Sequence, residues 1–182
     1  MLVARRPPSG DSPESRDDDT GSPVAAGSGS FSWSHPGTIR LYVQPSSKLP
    51  GWDVRHLELV NEAVRSWAAS GVVNVERVYW PREADVRLYW TDRLPSTNPG
   101  VTLLYRTRGG KLQRADVFID VLPAPWNTGT PDRVLYATIA HELGHALGLG
   151  HDPAPMTLMH ASPLVTRVTE DDLARLRSVV RR

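Results

Sequence analysis

The fold is decided by the stretch HELGHALGLGHD at residues 141–152. On an α-helix, His141 and His145 lie one turn apart and project from the same face. Two imidazoles at this spacing can bind one metal ion while the backbone stays regular. Glu142 lies beside them, close enough to touch a metal-bound water without being a ligand. The spacing therefore predicts a metal site on a helix, with a carboxylate next to it.

A glycine in the same stretch predicts where this helix ends. Gly148 comes three residues after His145, and glycine readily takes the left-handed conformation in which helices commonly end. That turn can bring His151 back as a third ligand. Three protein nitrogens leave the fourth position of a zinc ion open for water, which distinguishes a catalytic zinc site from a structural one. The motif therefore predicts one catalytic Zn²⁺ ion.

Such a site predicts a zinc-dependent endopeptidase. Zinc lowers the pKa of its bound water from about 16 toward about 7 and polarises a peptide carbonyl. Glu142 would take the proton as the water attacks and deliver it to the departing amine. Two alternatives stay open: a catalytically silent zinc-containing module that binds peptides, and a closed structural zinc site with a fourth protein ligand. The presence of Glu142 argues against both, because neither needs a base.

The rest of the chain predicts one α/β (α+β) domain behind a tail. Almost half of residues 1–30 are Gly, Ser or Pro, so residues 1–31 are expected to be a disordered tail and residues 32–182 the folded domain. Apolar patterning predicts a mixed twisted sheet of about five strands, at residues 38–43, 72–79, 84–90, 101–106 and 115–121. Helical spacing and capping residues predict three helices, at residues 53–69, 131–147 and 169–177.

The composition excludes several classes of protein. The 182 residues include no cysteine, which rules out a disulfide scaffold, a thiol nucleophile and a Cys-ligated zinc. The net charge of +1 gives no reason to expect a nucleic acid as partner, and no apolar run approaches the roughly 20 residues that cross a bilayer. The zinc site makes a peptide or protein substrate the expected partner, and the sequence leaves the oligomeric state open, with a monomer as the default.

The extended pattern HExxHxxGxxH resembles the metzincin clan of zinc endopeptidases. The segment HDPAPMTLM at residues 151–159 is similar to the one that follows the third histidine in the matrixin (matrix metalloproteinase-like) branch. TEDDLARL at residues 169–176 also resembles the acidic start of the matrixin C-terminal helix. The resemblance implies a zincin-like metzincin catalytic domain over residues 32–182, with Met159 in a tight turn beneath the metal.

The resemblance also implies where a substrate binds. Val101 and Leu103 lie on an expected exposed edge strand, residues 101–106, which can pair with an extended peptide. The pocket for the substrate residue after the scissile bond (the S1′ pocket) would lie between the metal-binding helix and the chain after Met159, with three candidate residues, His160, Ala161 and Pro163.

Some features depart from the matrixin pattern. Asp152 stands where matrixins usually have serine, and no histidine occurs between Trp90 and Trp126, so the family's second, structural zinc site is not expected. A calcium ion is also conceivable, with Asp116 and Asp120 as its ligands, but no ligand loop of recognisable spacing supports such a site. The resemblance implies export from the cell, whereas the start MLVARRPPSG lacks the apolar run of a secretory signal. The sequence leaves the location open.

Overall fold

The computed structural model describes residues 22–35, 37–94, 99–121 and 131–181. Within these ranges six strands and three α-helices follow in chain order: β1 (Val24–Ala25), β2 (Thr38–Val43), α1 (Arg55–Ala68), β3 (Asn74–Val78), β4 (Val86–Thr91), β5 (Gly100–Arg106), β6 (Leu112–Asp120), α2 (Pro131–Ala146) and α3 (Glu170–Val180). A single 3₁₀ turn, Pro81–Glu83, joins β3 to β4. The predicted α/β class with a mixed sheet and three helices is confirmed.

The six strands form one mixed sheet in the order β1–β5–β6–β4–β2–β3. The four strands β3, β2, β4 and β6 are parallel, while β5 is antiparallel to β6 and β1 is antiparallel to β5. The parallel pair of β2 and β3 is joined by α1, as parallel neighbours need a long crossover. Each of the five predicted strands overlaps an observed strand.

The sixth strand, β1, lies in the segment that was expected to be a disordered tail. Val24 and Ala25 pair with β5, and Phe31 packs against the core. The backbone N–H of Phe31 donates to the carbonyl of Gly148 over 2.8 Å. The tail prediction is therefore wrong for residues 22–31, and its residues 1–21 lie outside the described ranges. The composition predicted disorder because the segment has few apolar side chains. Backbone hydrogen bonds hold much of it in place, however, and small residues make these as well as large ones do.

The core lies between one face of the sheet and the helices α1 and α2. Side chains alternate along the strands, as strand geometry requires, and every second one is buried: Ile39, Leu41 and Val43 of β2, and Val86, Leu88 and Trp90 of β4. The buried indole N–H of Trp67 on α1 donates to the carbonyl of Ala140 on α2 over 2.8 Å. This contact and the packing on β5 and β6 fix the position of α2, which carries the histidine motif.

The start of α3 agrees with the sequence prediction, whereas the start of α1 differs from it. Thr169 caps α3 as predicted, and its hydroxyl forms a reciprocal capping box with Asp172. By contrast, α1 begins at Arg55 after Val54, and Asp53 accepts the N–H of Arg55 from one residue further out, over 2.8 Å. Among the described helices, none combines the length and apolar character needed to cross a membrane.

Candidate metal centre

The last turns of α2 and the loop after it bring the three predicted ligands together. Ring nitrogens of His141, His145 and His151 all lie within 4.8 Å of one another. The ring centroids of His145 lie 4.7 Å from those of both His141 and His151. Across the described residues, no other three His, Cys, Asp or Glu side chains lie close enough to share an ion. The arrangement is one that can hold a metal.

Backbone carbonyls orient the two helical imidazoles. Nδ1 of His141 lies 2.7 Å from the carbonyl oxygen of Leu158, and Nδ1 of His145 lies 2.7 Å from that of Leu149. A carbonyl can only accept, so each Nδ1 carries the proton and donates it. This tautomer leaves the lone pair of Nε2 free, which is how metal-binding histidines are held in proteins. The donor set therefore fits a zinc ion.

Burial keeps these histidines neutral. It lowers the pKa of His145 to about 3, and the neighbouring His141 adds to that effect because two imidazolium charges would repel each other. Burial also lowers the pKa of His141 and, together with the nearby His160, that of His151. A neutral imidazole is the form that binds a metal ion.

The loop after α2 is built around two glycines. Gly148 has a φ of 104°, in the region that glycine adopts far more readily than other residues. A β-carbon on Gly148 would collide with the carbonyl oxygen of Phe31, and one on Gly150 would collide with that of Ser28. The two glycines therefore let residues 22–31, here called the N-terminal segment, lie directly against the loop that carries His151.

Of the two methionines near the motif, the structure buries one. Met159 is fully buried, whereas Met156 is 62% exposed. A β-carbon on Gly144 of α2 would collide with the sulfur of Met159. The thioether therefore packs against the helical turn that separates His141 from His145.

The carboxylate of Asp172 holds the chain around Met159, a role that sequence reasoning missed. Asp172 is fully buried, and it accepts the backbone N–H groups of Leu158 over 2.9 Å and of Met159 over 3.2 Å. It also accepts the N–H and the hydroxyl of Thr169. Its place three residues after Thr169 was the signal for a capping box, but that spacing says nothing about a contact back to residue 159.

Glu142 is held by Thr102 of β5, a second residue that the sequence did not single out. The Thr102 hydroxyl lies 2.7 Å from Oε2 of Glu142 and 3.0 Å from its backbone carbonyl oxygen. Burial raises the pKa of Glu142 to about 7, and the hydrogen bond from Thr102 partly offsets this. Strand alternation could have identified Thr102, because an outward-facing Val101 and Leu103 place the residue between them toward the helix.

An ion pair ties the His151 loop to α3. The carboxylate of Asp152 lies 3.0 Å from a guanidinium nitrogen of Arg175, and another nitrogen of Arg175 donates to the carbonyl of Gly150 over 3.1 Å. Asp152, which stands where matrixins usually have serine, therefore helps to hold the loop in place. The conceivable calcium ligands Asp116 and Asp120 lie on β6, outside the histidine group.

A cleft of about 400 Å³ opens between α2, β5 and the chain after Met159. It is lined by Glu142, the three histidines and three of the five predicted pocket residues, namely Val101, Ala161 and Pro163. Its lining does not include His160, whose Nδ1 lies 2.7 Å from the carbonyl oxygen of Ser162. It does not include Leu103 either, which pairs with Ala25 of β1.

The sequence led us to expect that the edge of β5 is exposed along its whole length, but part of it is covered. Residues 24–25 pair with residues 103–104, and the N–H of Ala26 donates to the carbonyl of Thr102 over 2.8 Å. The expectation of a free edge over residues 101–106 is therefore wrong for residues 102–104. The strand that covers them comes from the stretch assigned to the tail, which is why no strand pattern announced it.

Comparison with known proteins agrees with this site. A family model described as Matrixin matches residues 33–179. Matrilysin of Rattus norvegicus is 29% identical over 133 residues, or 67% of this chain and 49% of that protein. Matrilysin of Mus musculus is 30% identical over 135 residues, or 67% of this chain and 50% of that protein. Stromelysin-3 of Rattus norvegicus is 33% identical over 114 residues, which cover 60% of this chain and 22% of that protein.

The chain spans about half the length of the two matrilysins that it matches. The family model, in contrast, extends from just before β2 to the last turn of α3 and includes every residue of the histidine group. A match over most of the chain, together with the mixed sheet and the three convergent histidines, leads to one conclusion: the chain belongs to the matrixin family of metzincin peptidases.

Proposed function

We propose that the chain is a zinc-dependent endopeptidase in which three histidines hold one zinc ion and Glu142 moves the proton. The observation that carries this proposal is the convergence of three oriented imidazoles and a buried carboxylate on one open cleft. Membership of the matrixin family supports the metalloprotease class. A structural zinc site would have no use for a carboxylate positioned in this way.

The metal would be held by His141, His145 and His151. When bound, zinc supplies a Lewis acid that polarises a peptide carbonyl and activates water. His141 and His145 would bind through Nε2, because their Nδ1 atoms face the carbonyls of Leu158 and Leu149. These carbonyls also make the imidazoles more basic and fix the ring planes.

Glu142 would carry the proton between the attacking water and the departing amine. Its Oε2 accepts the hydroxyl of Thr102, which leaves Oε1 for the transferred proton. Because Glu142 is only 7% exposed, bulk water does not compete for that proton. Burial raises the pKa of this carboxylate, which suits a group that must both accept and donate a proton.

The cleft suits an extended peptide. Ala161, Pro163 and Val165 give it an apolar lining, and the part of the β5 edge that β1 does not cover can form backbone hydrogen bonds with a strand-like ligand. In this kind of binding, the edge strand recognises the backbone of the substrate, and pockets recognise one or two of its side chains. The S1′ pocket would be the space between α2 and residues 161–166.

The test is cleavage of a mixed quenched-fluorescent peptide library by the zinc-loaded full chain, with Glu142→Gln run beside it. We expect cleavage by the wild type and a loss of at least about 100-fold in the variant, the range that general acid–base catalysis contributes. Glu62→Gln removes the same charge from an exposed position on α1 and should keep full activity. Equal rates for the wild type and Glu142→Gln would overturn the proposal. A zinc-loaded, folded wild type that binds peptides without cutting them would favour the peptide-binding module.

A further inference from the structure

The chain itself occupies part of the cleft. The strand β5 pairs with β6 along one edge, and β1 takes the other edge. In that pairing Val24 lies opposite Leu104 and Ala25 opposite Leu103, and the N–H of Ala26 donates to Thr102 over 2.8 Å. Ala25 and Ala26 line the same cleft as Glu142 and the three histidines. A segment of the protein therefore lies where the edge of β5 is expected to bind a peptide.

Backbone contacts fix this segment beside the histidine loop. Three hydrogen bonds join the two: His151 N–H to the Gly27 carbonyl over 2.8 Å, Gly150 N–H to the Ser30 hydroxyl over 2.9 Å, and Phe31 N–H to the Gly148 carbonyl over 2.8 Å. A β-carbon on Gly150 would collide with the backbone of Ser28 and Gly29. The position of the N-terminal segment is thus set by the same loop that carries His151.

The position of Glu142 along β5 indicates which half of the cleft β1 fills. A β-carbon on Gly100 would meet Cγ of Glu142 at 2.6 Å, and the carboxylate accepts the hydroxyl of Thr102 over 2.7 Å. Glu142 therefore lies at the start of β5, while β1 covers residues 102–104. A peptide that pairs antiparallel to β5, as β1 does, and crosses Glu142 would lay the residues before its scissile bond over residues 102–104.

We propose that residues 24–26 fill the part of the cleft that would bind substrate residues N-terminal to the scissile bond, so that substrates are selected by the residues that follow it. This inference rests on the proposed function and concerns the specificity of the same site. The other part of the cleft keeps its apolar lining, to which Ala161, Pro163 and Val165 contribute. Extending a peptide substrate on its C-terminal side should raise kcat/KM, whereas extension on its N-terminal side should not.

The test uses two zinc-binding hydroxamates on the zinc-loaded full chain, so that no turnover is needed. Acetyl-Val-Ala-hydroxamate places its residues on the N-terminal side of the metal-binding group, and a succinyl hydroxamate with a C-terminal dipeptide amide places them on the other side. Every second N–H of a strand faces its partner, so those of Val24 and Ala26 face β5 and that of Ala25 does not. Val24→Pro and Ala26→Pro therefore remove a hydrogen bond to β5, and Ala25→Pro is the matched control.

We expect acetyl-Val-Ala-hydroxamate to bind Val24→Pro and Ala26→Pro at least about tenfold more tightly than the wild type or Ala25→Pro, because a site that is mostly covered binds in proportion to its open fraction. The succinyl hydroxamate should bind all four proteins equally. Equal affinity of acetyl-Val-Ala-hydroxamate for all four proteins, or an equal gain for both ligands, would overturn the inference.

A second readout needs neither metal nor activity. In the metal-free full chain, the amide hydrogen of Ala26 should exchange with solvent more slowly than that of Ala25, because only the former is bonded to β5. Equally fast exchange of the two amides would contradict β1 as a stable strand. A protein that cuts no peptide but shows both results would refute the endopeptidase proposal and leave the occupied cleft standing.

Discussion

Replacing Asp172 with alanine should lower the free energy of unfolding by about 3–7 kcal/mol. The carboxylate is fully buried and accepts the N–H groups of Leu158 and Met159. Alanine leaves both donors buried without a partner, at about 1–3 kcal/mol each. It also removes one half of the capping box with Thr169, which contributes about 1 kcal/mol.

The matched control is Asp171→Ala, which removes the same charge from the same first turn of α3 at an exposed position. Urea denaturation at neutral pH, monitored by tryptophan fluorescence, gives both free energies. Zinc affinity, measured by competition with a chelator, should also fall in Asp172→Ala, because the Leu158 carbonyl that orients His141 loses its anchor. A difference between the two variants of less than about 1 kcal/mol would show that the buried donors find other partners, and would refute the reasoning.

Three further outcomes follow from the contacts around the site. Thr102→Val should lower kcat for a cleaved peptide by about tenfold with little change in KM, because it removes the hydrogen bond that orients Glu142. Thr102→Ser keeps the hydroxyl and should restore the rate. Equal kcat values for Thr102→Val and the wild type would count against this role. Arg175→Met should weaken zinc binding in a chelator competition, because the guanidinium joins Gly150 and Asp152 on either side of His151, and Arg167→Met at an exposed position should not. Burial lowers the pKa of His56, which lies between the rings of Trp52 and Trp90. The unfolded chain therefore binds a proton at His56 more readily than the folded one, so His56 by itself should lower urea stability as the pH drops below about 6.5, by less than about 1.4 kcal/mol per pH unit. His56→Gln should remove that part of the pH dependence and leave the part that the metal-site histidines contribute.

The sequence predicted that the three histidines come together, because the information for this is local. A helix alone is enough to place the side chains of His141 and His145 on one face, with Glu142 beside them. A positive φ at Gly148 is then enough to turn the chain so that His151 comes back to them. Neither condition depends on distant parts of the chain. The five strands were found for the same reason, since alternation along each strand reports its own buried face.

The sequence could not predict the contacts that join distant parts of the chain. Thr102 lies 40 residues from Glu142, and Asp172 lies 14 residues from Leu158, and no spacing rule links either pair. Strand β1 was missed for another reason, because its two residues are too few to show alternation. Apart from Ala26, its neighbours over residues 21–30 are Gly, Ser and Pro. Its stability comes from an edge of β5 that only the assembled sheet presents.

The N-terminal segment acts on the site in two opposite ways, and the division falls at Gly27. Residues 27–31 hydrogen-bond the histidine loop at three positions, Gly148, Gly150 and His151, so they support the expected third ligand. Residues 24–26 cover the β5 edge, so they restrict the cleft. A change that opens the cleft without loosening the metal must therefore act before Gly27, whereas loss of the whole segment would free the edge of β5 and remove support from His151 together. On the two proposals above, specificity and metal retention would thus be coupled through one short stretch of chain.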